Sequence, residues 1–174
     1  MREGVIGVVC LILSILPAAA DEWDDAAAAY DAGRYQEAIG LMEPLAENGL
    51  IEAQLVLGQS YLLGKGVAVD EERAFYWYGL AADQYDPRGL YNLAVLTLQG
   101  KGTKADPAAA IDLFYAAATF EEPNALFELG GIYLMGAYGE PIDLDLGLQF
   151  LAWAAQKGHR GASAMLAVVI QEIP

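Results

Sequence analysis

The chain has 174 residues with 24 acidic and 9 basic side chains, which gives a formal net charge of −15 at pH 7. This charge would repel nucleic acid and anionic membrane surfaces, so both are excluded as main partners. One histidine and one cysteine are too few for a zinc site or a disulfide framework. We therefore predict no metal and no cofactor in what is, by length, a single domain.

The N-terminus has the features of a secretory signal peptide. A short apolar run over residues 5–16 ends at Pro17 and is followed by three alanines, residues 18–20. The run is shorter than the ~20 residues that a transmembrane helix needs, which favours a signal peptide over a membrane anchor. We expect cleavage between Ala20 and Asp21, a periplasmic or secreted mature protein, and no stable membrane span after cleavage.

The mature chain, residues 21–174, is predicted to begin with a partial helical unit at residues 21–51. This segment is strongly acidic, with Arg34 as its one basic side chain. Such charge favours solubility and suits the first turns of helices. A docking surface for a basic partner is the alternative interpretation of the same charges.

Three sequence repeats follow, at residues 52–87, 88–123 and 124–160. A fixed period of about 36 residues is typical of a helical solenoid. In each repeat a first helix carries small and apolar residues on one stripe, a glycine-rich loop follows, and a second helix combines one large residue with alanines. The first repeat shows this pattern in Ala53, Leu57, Gly58, Tyr61, Gly64, Gly66, Asp70, Ala74, Trp77, Ala81 and Ala82.

An aspartate precedes the second helix of every repeat, at Asp70, Asp106 and Asp143. A carboxylate at this place accepts hydrogen bonds from the free amides of the first turn, so we predict three N-caps. Residues 161–174 have the pattern of one more first helix and are expected to cap the array.

The pattern resembles the Sel-1-like repeat, a relative of the tetratricopeptide repeat. The resemblance implies an all-α fold: an α-solenoid of stacked antiparallel helix pairs in a right-handed, tetratricopeptide-like superhelix, with about nine helices. The second repeat departs from the family pattern at Ala94, Thr97 and Leu113, and the third at Gly147 and in its longer loop. These departures keep side chains that suit the same packing.

The sequence contains no arrangement that we interpret as catalytic. The one histidine, His159, follows Lys157 and Gly158 at a helix end, where its charge would suit the helix dipole. Neither Ser60 nor Ser163 lies in a nucleophile-elbow sequence. We therefore predict no catalytic residue and a protein that is not an enzyme.

Seven residues are candidates for binding a partner. In solenoids of this type the first helices line the concave face, and one apolar or aromatic row with polar neighbours falls there, as expected of a peptide-binding groove. The candidates are Leu55, Gln59, Tyr91, Asn92, Val95, Phe127 and Glu128. Packing of these side chains between helices is the alternative that the sequence leaves open.

These features predict a non-enzymatic protein–protein interaction module, an adaptor or scaffold of the bacterial cell envelope. It would bind a protein or peptide along the concave helical face, and its acidity suits a basic partner. The alternative is a hydrolase of the β-lactamase-like type. The resemblance implies this alternative, because such activity is reported for some secreted family members. The disulfide pattern of those members is missing from this sequence. Self-association through the solenoid ends is a third interpretation, suggested by the apolar residues Val168 to Ile170.

Overall fold

The computed structural model describes residues 21–172, with side chains described through residue 168, so the predicted signal peptide lies outside the described residues. Within this part the chain forms nine α-helices and one short 3₁₀ turn, with no β-strand. The helices are α1 (21–31), α2 (Tyr35–Glu47), α3 (Ile51–Leu63), α4 (Glu71–Asp83), α5 (Pro87–Gln99), α6 (Pro107–Thr119), α7 (Pro123–Met135), α8 (Leu144–Gln156) and α9 (Arg160–Glu172).

The described residues divide into two compact units, the first ending at Ala74 and the second beginning at Phe75. In the first unit α2 and α3 pack as an antiparallel pair, because only three residues connect them. The apolar faces of the two helices meet in a core that includes Met42 and Leu57, both fully buried. Burial of these faces from water stabilises the pair.

The loop after α3 approaches α2 very closely. A Cβ atom on Gly66 would lie 2.5 Å from the backbone carbonyl carbon of Tyr35, a distance at which two carbon atoms overlap. Gly66 also has a φ of 76°, a conformation that side chains with a Cβ rarely adopt. The second glycine of this loop is therefore required by both packing and backbone conformation.

In the second unit α5 packs on α6, α7 on α8, and α9 on α8. One core runs through these helices and buries Leu90, Phe114, Leu126, Leu129 and Leu151. Most of the other residues in this core are alanines, whose small side chains let two helix backbones approach.

The crossing of α7 and α8 depends on glycine. A Cβ atom on Gly130 would lie 2.8 Å from the Leu151 side chain, and one on Gly147 would lie 3.0 Å from the Leu134 backbone nitrogen. The small residue at Gly130, on the stripe of the first helix in the third repeat, therefore allows α7 and α8 to cross closely. The Gly147 departure from the family pattern is explained by the same contact.

The connection within each repeat is built in the same way three times. Gly64, Gly100 and Gly136 end the first helices with φ of 65–70°. The amide of the capping aspartate then donates to a carbonyl near the end of the first helix: Asp70 to Tyr61, Asp106 to Thr97 and Asp143 to Tyr133, at 2.9–3.0 Å. Each glycine turns the chain back, and each hydrogen bond fixes where the second helix begins.

The predicted N-caps are confirmed. Asp70, Asp106 and Asp143 each accept from a backbone amide of the first turn, at 2.9, 3.0 and 2.9 Å. The inserted residue of the third repeat is absorbed by the 3₁₀ turn, Ala137–Gly139, in which Tyr138 has a φ of 59°.

The fold class predicted from the repeats, an all-α solenoid of helix pairs, is confirmed by the helices described above and by the solved structures compared below. No helix of residues 21–172 is both long and apolar enough to cross a bilayer.

Candidate functional site on helices α5 and α7

The seven predicted binding residues fall into two groups. Leu55 is half-buried and Gln59 is exposed on α3, in the first unit. The other five lie in the second unit, where all of them are half-buried. We name these five the α5/α7 surface: Tyr91, Asn92 and Val95 on α5, and Phe127 and Glu128 on α7.

Tyr91 links this surface to the core beneath it. Its ring centroid lies 5.9 Å from that of the buried Phe114. Burial raises the pKa of the Tyr91 hydroxyl, and the negative charges of Glu128 and Glu122 raise it further. Tyr91 is therefore consistent with both interpretations of this row: its ring packs on the core, as a core residue would, and part of it stays exposed, as a groove residue would.

Phe127 forms a stacked pair with His159. The two ring centroids are 4.2 Å apart and the rings are inclined by 24°. The His159 Nδ1 accepts a hydrogen bond from the Ala162 amide at 3.0 Å, so the imidazole caps the N-terminus of α9. The interpretation of His159 as a residue that stabilises a helix C-terminus is therefore wrong, because the side chain serves the following helix.

Sequence reasoning did not connect His159 with the binding row. The usual N-cap residues are Ser, Thr, Asp and Asn, so a histidine carries little capping signal. The position of His159 was the one sequence feature that could have indicated a cap. Gly158 ends the preceding helix, and the apolar pattern of α9 begins directly after His159, so this residue lies where an N-cap is expected.

Glu128 is the charged member of the α5/α7 surface. Its side chain is half-buried and forms no hydrogen bond or ion pair with any residue in the described part of the chain. Burial raises the pKa of the Glu128 carboxyl, and the nearby His159 partly opposes this shift. The surface therefore holds a carboxylate that has given up part of its hydration and receives only the electrostatic attraction of His159 in return, without a hydrogen bond or ion pair.

The remaining two residues are engaged within the molecule. The Asn92 Nδ2 donates to the Arg88 carbonyl oxygen at 2.8 Å, one helical turn earlier. Val95 packs against the core of the second unit. The α5/α7 surface thus combines two aromatic rings, an aliphatic side chain and one unpaired carboxylate, an arrangement suited to binding and to cations in particular.

A second polar cluster, in the first unit, is satisfied internally. The Tyr61 hydroxyl donates to Glu43 Oε1 at 2.9 Å and accepts from the Arg73 guanidinium. Arg73 Nε also lies 3.8 Å from Asp70 Oδ2. Since its members bond to one another, this cluster orients α2, α3 and the start of α4 and offers little to a ligand.

Comparison with known proteins gives the family. The sequence model of the Sel1 repeat matches residues 51–86, 87–119 and 123–159. These matches start one residue before the three repeats that we predicted from the spacing of small and apolar residues, and they cover more than half of the chain.

Two similar curated proteins carry the names of regulators. The exopolysaccharide production negative regulator of Rhizobium meliloti is 30% identical over 156 residues, which are 82% of this chain and 58% of that protein. Chitin synthase regulatory factor 3 of Schizosaccharomyces pombe is 33% identical over 121 residues, 68% of this chain but 13% of that protein. The chain thus spans between about an eighth and about three-fifths of the lengths of these two relatives.

Solved structures have the same fold. A Sel1 repeat protein from Oxalobacter formigenes superposes with a TM-score of 0.79 at 29% identity, covering 84% of this chain and 59% of the other. A protective antigen with an SLR fold from uropathogenic Escherichia coli superposes with a TM-score of 0.70 at 30% identity, covering 76% of this chain and 28% of the other.

Proposed function

The chain belongs to the Sel1 repeat family, and from this premise we propose that it is a non-enzymatic adaptor that binds a protein or peptide through the α5/α7 surface. A role in protein interaction or regulation follows from the family and from relatives that are named as regulators. The location of the binding surface and its occupant are the proposed parts.

One observation carries the proposal: two large aromatic side chains remain half-exposed on neighbouring first helices. Tyr91 and Phe127 occupy the same position in consecutive repeats, and both pack partly on the core while keeping an accessible part. Aromatic residues held rigid by a core lose little conformational entropy on binding and are enriched where interfaces gain most of their energy.

We also propose that the protein acts in the bacterial cell envelope, after cleavage between Ala20 and Asp21. The apolar run of residues 5–16 and the small residues before Asp21 support this proposal. Fractionation of the bacterial host, with mass spectrometry of the protein's N-terminus, tests it. A full-length chain in the cytoplasmic fraction would contradict the proposed location.

The binding function is tested by Asn92→Lys, which adds a long, charged side chain in the middle of the α5/α7 surface. The lysine stem can follow the surface while its ammonium group reaches water, so we expect the fold to persist. Gln99→Lys is the matched control, because it makes the same charge change on the same helix at an exposed position.

The measurement is affinity capture from an envelope extract with the full chain and both variants, read by mass spectrometry. We expect a protein that is retained by the wild type and by Gln99→Lys and lost with Asn92→Lys, while circular dichroism shows equal helicity. Equal capture by all three would place the binding surface elsewhere. The absence of any specific protein would contradict the adaptor function.

A further inference from the structure

We propose that the α5/α7 surface recognises a positively charged side chain, preferably arginine, of the bound peptide, and that the Glu128 carboxylate is its receptor. This inference rests on the proposed function and deepens it: it assigns the chemistry of the partner at the surface already described. An arginine-containing segment is the one occupant that the surface chemistry favours.

The first argument is that the half-buried Glu128 carboxylate lowers the stability of the fold, because it forms no hydrogen bond or ion pair with any described residue that would offset its burial. A carboxylate that is removed from water and left unpaired is unfavourable, and burial raises its pKa accordingly. The packing does not demand a carboxylate here, because the equivalent positions of the two preceding repeats hold Val56 and Asn92. A charge kept at an unfavourable position, where apolar or neutral residues also fit, indicates a use in binding.

The second argument is that two basic side chains of the second unit are already paired with other carboxylates. Arg88, one turn before Asn92 on α5, pairs with Asp86 through Nη2 and Oδ2 at 2.8 Å. Lys157, just before the His159 cap, pairs with Glu121. Among the described residues no ion pair joins Glu128 to a lysine, an arginine or His159, so its carboxylate stays open to a cation from a bound partner.

The third argument concerns the neighbours of the carboxylate. Its charge reaches the Tyr91 hydroxyl, whose pKa it helps to raise, and Phe127 precedes it in the chain with one ring face held against His159. Aromatic rings attract cations through their faces, and a guanidinium both stacks on a ring and bonds a carboxylate in its own plane. An arginine can use both kinds of contact, whereas a lysine ammonium lacks the plane.

The net charge of the whole chain acts in the same direction. At −15 it creates a negative potential that draws basic segments toward the surface and speeds their association. This long-range attraction is general, whereas Glu128 would fix the position at which the basic side chain is bound.

The experiment selects peptides from a random nine-residue library displayed on phage, with the full chain as bait. Dissociation constants of the selected peptides are then measured for the wild type, for Glu128→Gln and for Asp112→Asn. The last variant is the matched control, since it also removes one carboxylate charge but at an exposed position of α6. In a parallel synthesis, citrulline, a neutral isostere, replaces each arginine.

We expect selected peptides to share an arginine next to an apolar residue. Citrulline and Glu128→Gln should each weaken binding at least about tenfold, and the two losses should not add, because they remove the same interaction. Asp112→Asn should change binding less than about twofold.

Peptides without a basic residue, or arginine peptides that bind Glu128→Gln as tightly as the wild type, would overturn the inference and leave the adaptor function standing, provided that Asn92→Lys abolishes their binding. A library that yields no binder would overturn the inference, and together with a failed capture experiment it would overturn the adaptor function as well.

Discussion

Tyr61 in the first unit and Tyr133 in the second occupy the same repeat position, and each hydroxyl bonds to the residue 18 positions earlier in the chain. Tyr61 meets the carboxylate of Glu43 and also accepts from the Arg73 guanidinium. Tyr133 meets the hydroxyl of Tyr115 at 2.5 Å. One repeat position thus carries an ionic network in one unit and a neutral hydrogen bond in the other.

The middle repeat shows why. It holds Thr97 at this position, and the corresponding residue upstream is Gly79, which offers no side chain. The Thr97 hydroxyl donates instead to the Leu93 carbonyl of its own helix, at 2.8 Å. The apolar stripe fixes where the side chain lies, and the preceding helix decides its polar partner.

The two tyrosines differ in what raises their pKa. For Tyr61 burial is the largest cause, Glu43 adds to it, and the hydrogen bond from Arg73 opposes it. For Tyr133 the hydrogen bond with Tyr115 is the largest cause, burial adds to it, and the Glu140 carboxylate makes a smaller contribution in the same direction. The polar partners of Tyr61 are thus two charged groups that act in opposite directions, whereas the main partner of Tyr133 is a neutral hydroxyl.

The largest effect is expected from truncation of Tyr133. Tyr133→Ala should lower the free energy of unfolding by about 3–5 kcal/mol, because the ring packs against Phe150 at 6.1 Å between centroids and leaves a cavity. Tyr133→Phe keeps the ring and should cost about 1 kcal/mol. Urea denaturation at constant m-value measures both. Equal losses would show that the hydroxyl, and not the ring, stabilises this position.

Tyr61→Phe sharpens the comparison of charged and neutral partners. Loss of the bonds to Glu43 and Arg73 should cost about 1 kcal/mol. Because charged groups are screened by ions, this loss should shrink in 1 M salt. Tyr133→Phe serves as the control, and its cost should depend less on salt, because its main partner is the neutral Tyr115 hydroxyl. The same salt dependence in both variants would contradict the distinction between the two networks.

A similar comparison holds at the ends of the second helices. Gly49 and Gly158 there adopt φ of 93° and 91°, whereas Tyr85 and Glu121 hold φ of 60° and 62° at the corresponding positions. A residue with a Cβ is strained in this region, so Tyr85→Gly should raise the free energy of unfolding by about 0.5–1 kcal/mol.

Tyr85→Ala is the control for that gain, because it removes the exposed ring but keeps the Cβ and its strain. It should leave stability nearly unchanged. A gain from alanine as large as the gain from glycine would show that the exposed ring, and not the backbone, destabilises the wild type.

The smallest change in the free energy of unfolding is expected when a paired carboxylate, Glu43, and an unpaired one, Glu128, are each replaced by glutamine. At neutral pH Glu128→Gln should raise the free energy of unfolding by less than about 1 kcal/mol, since it removes a half-buried charge. Glu43→Gln should lower it, because Glu43 accepts from Tyr61. Thermal unfolding of both variants at pH 7 gives the two signs, and a loss of stability in Glu128→Gln would contradict an unpaired carboxylate.

The pH dependence of Glu128→Gln follows from the direction of the shift. The folded-state pKa of Glu128 is raised above its unfolded value, so its contribution to stability is largest below the unfolded pKa and is lost as the pH rises through the folded pKa. His159 and Tyr91 are the titratable groups that interact with it. The advantage of Glu128→Gln should therefore disappear in acid, where the glutamic acid is neutral.

The sequence by itself determined the fold class, the three repeats and the three aspartate caps. These features depend on local chemistry: a period of small and apolar residues, glycines where the chain turns, and a carboxylate before each second helix. Because consecutive repeats apply the same rules, each copy of the pattern reinforces the others. The seven binding residues remain a prediction, of which the structure places five on one half-exposed surface.

The tertiary structure alone decided which polar groups meet. Two of these contacts join separate parts of the chain: Tyr61 bonds to Glu43, and Phe127 stacks on His159. Glu128, by contrast, has no hydrogen bond or ion pair with any described residue. All three cases occur at positions where the repeats vary. A repeat pattern contains only the residues that packing requires in every copy, so it gives no information about positions that vary between the copies. The partner of a polar side chain depends on the one neighbour that packing places beside it.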